Sequence, residues 1–385
     1  MNLKHSKSVL LGTSALVCLA LSAPVVADDF VITGSDNSTN GTGTTNGGTA
    51  AAIADTAING SDTVSLGIAL TTTGTYKQGI ITTNVEDVDD GNTVTVTETG
   101  SITTGGNYAD GILNDGNNNT TIVAGSIKTT GDDAVGIANS FNENETTVSG
   151  SIKTGDVDAG TGNDAYGIYN YGNDNVTTVS DTGSIKTTGV NAHGIYNIGD
   201  NNETTVSGSI KMAGEDVYGI RNTGDKNATT VSGSIETTGE RAYGIYNYGN
   251  DNVTTVSDTG SIKTEGNNSH GIRNYGDDNT ISISGTVKAT GTKSAALYNK
   301  SGSGNSFTLN EGATIIGDIL ARDSTNNAYD ATNSKLIFNL GASTSYAYSV
   351  SGKGEGTGAG QWDFSDLDRS SQVVTTSGTG CDTTI

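Results

Sequence analysis

A unit of about 25 residues recurs eight times through the middle of the chain, and this period restricts the fold more than any other feature. Aligned on Gly-Ser-Ile, the isoleucines fall at Ile102, Ile127, Ile152, Ile185, Ile210, Ile235 and Ile262, with Val287 in the eighth place, at spacings of 25, 25, 33, 25, 25, 27 and 25 residues. Ten residues later stands a second apolar residue, nearly always in a Gly-Ile pair: Ile112, Ile137, Ile195, Ile220, Ile245, Ile272 and Leu297. Ile168 departs from that offset because six extra residues enter around Asp156 to Gly162. Leu70 and Ile80 look like an earlier, degenerate copy. A fixed period between about 20 and 50 residues is the signature of a solenoid.

The local pattern selects the type of solenoid. Thr204, Val206, Gly208 and Ile210 alternate with Thr205, Ser207 and Ser209, the period of two expected of a half-buried strand. Ala242 to Asn247 reads as a second short strand, set off by turns rich in Gly, Asn and Asp. Composition agrees: with hydrophobic residues at 32%, aromatics at 5% and one Pro beside 55 Gly, the chain lacks material for helices around a thick core. A charged fraction of only 16% argues against disorder, which combines low hydrophobicity with dense charge. The expected fold is all-β, a parallel β-helix of about 25-residue coils. At about 4.8 Å per coil the eight copies make a rod section roughly 40 Å long.

The N-terminus reads as an export signal. Lys4, His5 and Lys7 precede an apolar stretch from Val9 to Leu21, and Val25-Val26-Ala27 supplies small residues for cleavage after Ala27. The stretch is too short to span a bilayer as a helix, and the sequence around Cys18 lacks the small residue a lipoprotein signal places before its cysteine. The expected organisation is a signal peptide at 1–27, a polar lead at 28–60, the repeat β-helix at 61–300 and a further β-helix segment at 301–385. Beyond the signal the only cysteine is Cys381, so no intrachain disulfide forms.

Three columns of residues follow from stacking the copies. Two residues after the second apolar position stands asparagine in every copy: Asn114, Asn139, Asn170, Asn197, Asn222, Asn247, Asn274 and Asn299. Identical amides one coil apart can bond to each other, so these are expected to form a buried ladder closing a corner. Around the same isoleucine, Tyr166, Tyr169, His193, Tyr196, Tyr218, Arg221, Tyr243, Tyr246, His270 and Arg273 form a candidate contact stripe. Strict alternation would place the residue two before the isoleucine beside it, so exposure of this stripe requires the intervening glycine to break the parity of the strand. The third column, Lys128, Lys153, Lys186, Lys211, Lys263 and Lys288 with Glu236 interrupting, reads as a solvated face that discourages lateral strand pairing.

Signals for catalysis are sparse. His193 and His270 lie three coils, about 14 Å, apart and cannot share a metal ion. No Gly-x-Ser-x-Gly setting occurs, and the Asp-rich turns such as Gly249 to Asn252 and Gly276 to Asn279 lack the nonapeptide spacing of calcium-binding β-helices. No catalytic, cofactor or metal site is expected. A formal net charge of −23 disfavours nucleic acid and anionic lipid as partners.

The signal peptide, the Gly-Ser-Ile-Lys-Thr-Thr-Gly and Tyr-Gly-Ile-Tyr-Asn repeats, and the stretch from Ala313-Thr-Ile-Ile-Gly-Asp-Ile319 through Leu336-Ile-Phe-Asn-Leu340 to Gln361-Trp-Asp-Phe364 resemble the passenger domain of a Gram-negative autotransporter. The resemblance covers nearly all of the chain after the signal. It implies a right-handed β-helix, in keeping with the coil length, displayed at the cell surface or secreted and acting without catalysis as a stalk or adhesin on a host or bacterial surface ligand. The Trp362 segment resembles the denser end of such passengers. Such a passenger normally continues into a translocating β-barrel, whereas this sequence ends at Cys381-Asp-Thr-Thr-Ile385. The expectations are therefore a truncated reading frame or a separately encoded outer-membrane translocator, with a periplasmic location where no translocator acts. Two alternatives stand beside the adhesin: a nonfunctional fragment, and a carbohydrate-active β-helix enzyme. The enzyme would use the acidic insertion that carries Asp156, Asp158 and Asp164.

Overall fold

In a computed structural model, the structure describes residues 63–67, 69–83, 91–156, 162–321 and 334–339, together with the strand backbones at 30–32, 38–40, 51–55 and 373–377. The sequence-based expectations for the signal peptide, Asp158, the Trp362 segment and Cys381 lie outside these residues.

The chain winds as a parallel β-helix of three sheets, one strand in each sheet per coil, with about ten coils of about 26 residues. In a representative coil the strands are Glu203–Val206, Ser209–Ala213 and Tyr218–Thr223. We call their sheets the Thr-Val, Ser-Ile and Gly-Ile-Asn sheets. They hold thirteen, ten and twelve strands, and hydrogen-bonded neighbours come from successive coils throughout. Register is strict. Val206 pairs with Val231, Ile210 with Ile235 and Ile220 with Ile245, so each apolar residue stacks on its counterpart in the next coil.

These columns are the core. Val148, Val179, Val206, Val231 and Val256 from one sheet meet Ile152, Ile185, Ile210, Ile235 and Ile262 from the second and Ile168, Ile195, Ile220, Ile245 and Ile272 from the third, all fully buried. A core this thin needs few large side chains, which reconciles the low hydrophobic content with a folded chain. One corner is closed by threonine: Thr129, Thr187 and Thr237 donate their hydroxyls to the carbonyls of Ala134, Ala192 and Ala242, five residues on, at 2.7, 2.6 and 2.9 Å. Turns at two corners repeat a left-handed residue, as at Asp216 (φ 58°) and Asn201 (φ 57°), a conformation that Asn and Asp tolerate better than most side chains.

The 28–60 segment, read from sequence as a polar lead, contributes backbone to the same sheets. At the backbone Phe30 pairs with Ile53 and Ile53 with Ile80. The six extra residues that displace Ile168 sit in the connection after Ser151–Thr154, and register resumes with Ile137 opposite Ile168.

Candidate functional site

The inner wall carries the asparagine column. All eight side chains are fully buried. From Asn114 to Asn222 each Nδ2 donates to the Oδ1 of the next coil at 2.7–2.9 Å. The same Nδ2 also donates to a threonine seven residues on, as Asn197 does to Thr204 and Asn222 to Thr229, both at 3.1 Å. The ladder therefore ties the Gly-Ile-Asn sheet to the Thr-Val sheet at their shared corner, and from Asn114 to Asn222 each amide satisfies the next.

A second buried asparagine column was not singled out in the sequence. Asn119, Asn144, Asn175, Asn202, Asn227, Asn252 and Asn279 each stand five residues after a member of the first. Here the Oδ1 accepts a backbone N–H from the coil before: Asn202 N–H donates to Asn227 Oδ1 and Asn227 N–H to Asn252 Oδ1, both at 2.8 Å. Six of these residues begin an Asn-x-Thr triplet whose threonine is the partner of the first ladder. A motif that in an exported chain reads as a glycosylation acceptor is here an internal strut, because amide and hydroxyl are both sequestered.

On the outer wall the glycine before each isoleucine breaks the strand's alternation. A Cβ on Gly194 would lie 2.5 Å from both Gly219 O and Ile210 Cγ2, inside the core, so Gly194 and Ile195 both face inward and His193 faces outward beside Tyr196. Only a residue without a side chain fits this inward place. The result is a continuous column of rings: Tyr166 on His193 (5.2 Å), His193 on Tyr218 (4.5 Å), Tyr218 on Tyr243 (5.0 Å), Tyr243 on His270 (5.2 Å) and His270 on Tyr298 (4.7 Å). Alongside it, Tyr169 packs on Tyr196, Arg221 lies 4.5 Å over the Tyr196 ring and Arg273 lies 5.4 Å from Tyr246.

The stripe is thus assembled on one wall, but part of it is not solvent-facing as expected. His193, Tyr196, Tyr243 and His270 are buried, because rings one coil apart cover each other's faces and the longer Tyr and Arg side chains close over the smaller imidazoles. Tyr166, Tyr169, Tyr218, Arg221, Tyr246 and Arg273 retain partial exposure.

Burial sets the protonation of this wall. Desolvation, with Arg221 beside it, holds His193 down to about 3, and desolvation with Arg273 and Lys300 does the same to His270, so both are neutral near pH 7. His193 Nδ1 accepts the N–H of Tyr218 at 3.2 Å and His270 Nδ1 that of Ala295 at 3.0 Å. Burial also pushes Tyr218 up to about 12, and raises Tyr166 with help from Asp164, so these phenols stay protonated. Near the start of the wall Asp110 accepts the N–H of Val135 at 2.8 Å, and burial pushes its carboxyl up to about 6.

The lysine column occupies the outer face of the Ser-Ile sheet, where Glu236 pairs with Lys211 at 3.0 Å and Lys263 at 3.3 Å and is held below its ordinary value chiefly by those hydrogen bonds. Among the described residues no three His, Cys, Asp or Glu side chains converge as a metal site would require. No described helix is long and apolar enough to cross a membrane.

Comparison with protein-family models, curated proteins and solved structures finds no match.

Proposed function

We propose that this chain is an exported, non-enzymatic passenger of the autotransporter type, a surface or secreted stalk whose aromatic wall makes adhesive contacts. The observation that carries the reading is the unbroken run of Tyr, His and Arg along one wall, from Tyr166 to Tyr298. Tyr and Arg are among the residue types that concentrate binding energy in contact surfaces. The stacked coils supply length, and the signal-like N-terminus supports export. The asparagine columns are assigned to structure, because their side chains are buried inside the coil.

Beads coated with the purified chain test this. They are expected to adhere to cell surfaces or to each other, and to lose most of that adhesion when the partly exposed Tyr166, Tyr169 and Tyr246 are replaced by Ser. Coated beads that adhere to nothing, or release of reducing sugar or unsaturated product from a glycan panel by the purified chain, would overturn it.

A further inference from the structure

Arg221 and Arg273 differ from the other described arginine of the solenoid. Arg241 is clamped by Glu215, Asp216 and Glu240, and Lys211 and Lys263 likewise meet carboxylates. Among the described residues no carboxylate lies within ion-pair distance of Arg221 or Arg273, in a chain with 42 acidic residues against 19 basic. Each guanidinium instead lies over rings: Arg221 over Tyr196 and Tyr218 at 4.5 and 5.6 Å, Arg273 over Tyr243 and Tyr246 at 4.9 and 5.4 Å. Their polar contacts are few. Arg221 Nη1 lies 3.3 Å from His193 Nε2, Arg273 Nη1 donates to the Tyr243 hydroxyl, and both Nε atoms are buried without a partner. Acidic side chains abound on the turns, yet none has been placed to neutralise this wall.

We propose that the wall from Tyr196 to Arg273 binds a linear carboxylated polysaccharide laid along the solenoid axis, with its acid groups on Arg221 and Arg273. The two arginines occupy equivalent positions two coils apart, about 10 Å along the axis. That is the scale of two sugar units, so a polymer with one carboxylate per disaccharide meets both at once. Tyr246 between them and Tyr218 in the coil of Arg221 present partly exposed rings on which apolar sugar faces can lie, and their protonated phenols supply hydrogen bonds to sugar hydroxyls. A guanidinium fork donates bidentately to a carboxylate, and packing over the rings fixes its orientation in advance. An acidic polypeptide matches the charge but lacks flat faces at a regular spacing, which is why a glycan is the better occupant.

This inference rests on the adhesive reading above. The full chain is assayed for binding to size-fractionated hyaluronan, with neutral dextran and poly-glutamate as comparators. Hyaluronan is expected to bind saturably, more weakly as salt rises, and above both comparators. The Arg221→Gln/Arg273→Gln variant, checked for an unchanged circular dichroism spectrum, is expected to bind on the order of tenfold more weakly or worse. Should the double variant not fold, Arg221→Gln alone gives the reading, in the same direction. Undiminished binding by a folded variant, absence of hyaluronan binding at low salt, or equal binding of poly-glutamate would each overturn the proposal, the last in favour of an acidic protein. Adhesion of coated beads that persists in the double variant leaves the passenger reading standing while removing this one. Beads that never adhere remove the passenger reading itself.

Discussion

Between Asn114 and Asn247 the inner amide ladder runs from coil to coil; from Asn247 to Asn299 it does not. Asn274 Oδ1 is buried without a partner, and Asn274 Nδ2 reaches Asn299 only at 3.4 Å. Asn247 pairs with Asn274 and Asn274 with Asn299, and the register shifts only beyond them, after Asn274. The difference lies across the corner: Thr254 receives the Asn247 amide at 3.0 Å, whereas Ile281 takes the equivalent place in the following coil. Without the hydroxyl the Asn274 amide has nothing to brace it against the Thr-Val sheet, and the ladder slackens. A ladder of identical residues is therefore only as good as the second column that orients it.

The largest expected effect separates these two regions directly. Asn222→Leu leaves Asn247 Oδ1 without its donor, Asn197 Nδ2 without its ladder acceptor and Thr229 without its amide. Two or three buried polar groups stranded at about 1–3 kcal/mol each give a loss of about 3 kcal/mol or more. Asn274→Leu removes one long bond and an oxygen that already lacks a partner, and Asn299 Oδ1 still receives Asn305 Nδ2 at 3.2 Å. Its expected cost is about 1 kcal/mol or less. Urea unfolding of both variants measures the gap; equal losses would break the comparison.

Acid probes whether the outer wall shares this contrast. His193 lies in the intact region and His270 beside the broken one, yet each is held neutral in the folded chain at about 3 against an ordinary value of 6.5. Above pH 6.5 neither state binds the proton and the rings are silent. Below it the unfolded chain takes up protons that the fold refuses, so stability falls as pH drops from about 6.5 toward 3. The slope is about 1.4 kcal/mol per unit per ring, or about 2 kcal/mol per ring at pH 5. Asp110 acts in the opposite sense, since a carboxyl raised to about 6 withdraws stability as pH rises from about 4. Melting curves between pH 7 and 5 for the native chain, His193→Gln and His270→Gln are expected to show a flatter pH dependence in both variants. His193 is stacked nearly parallel between its two neighbouring rings and His270 lies tilted between its own, so a flatter response at His193 alone would tie the effect to parallel stacking and not to burial.

The contrast also marks where sequence is informative. The period, the strand alternation and the first asparagine column are visible because register makes each a fixed letter at a fixed offset. The second column obeys the same rule, five residues on, but it lies in stretches such as Gly116-Asn117-Asn118-Asn119, where exposed turn amides and the buried one are chemically alike. The threonine two residues beyond Asn119 is the sign that distinguishes it. Burial of His193 and His270 is less legible, because the rings that cover them belong to neighbouring coils, 25 or more residues away. The break at Asn274 is visible as Ile281 only once the role of the threonine column is known.

The smallest expected effect tests whether the glycine column fails at the same end as the amide ladder. A Cβ on Gly219 would lie 2.4 Å from both Gly244 O and Ile235 Cγ2, and the first contact is backbone that cannot rotate away. Gly219→Ala is therefore expected to cost about 2 kcal/mol, the ordinary scale of overpacking. At the end of the solenoid the equivalent residue is already Ala296, fully buried, because the next coil omits the extra residue: Ala295 pairs with Asp318 and Leu297 with Ile319, so no inward carbonyl lies above it. Ala296→Gly loses one methyl contact and adds backbone freedom, worth about 1 kcal/mol. Thermal melts of the two variants give the ranking. A Gly219→Ala chain as stable as the native one would show that the inward glycine is a convenience of the repeat, and the ring column outside it would then need another explanation for its parity.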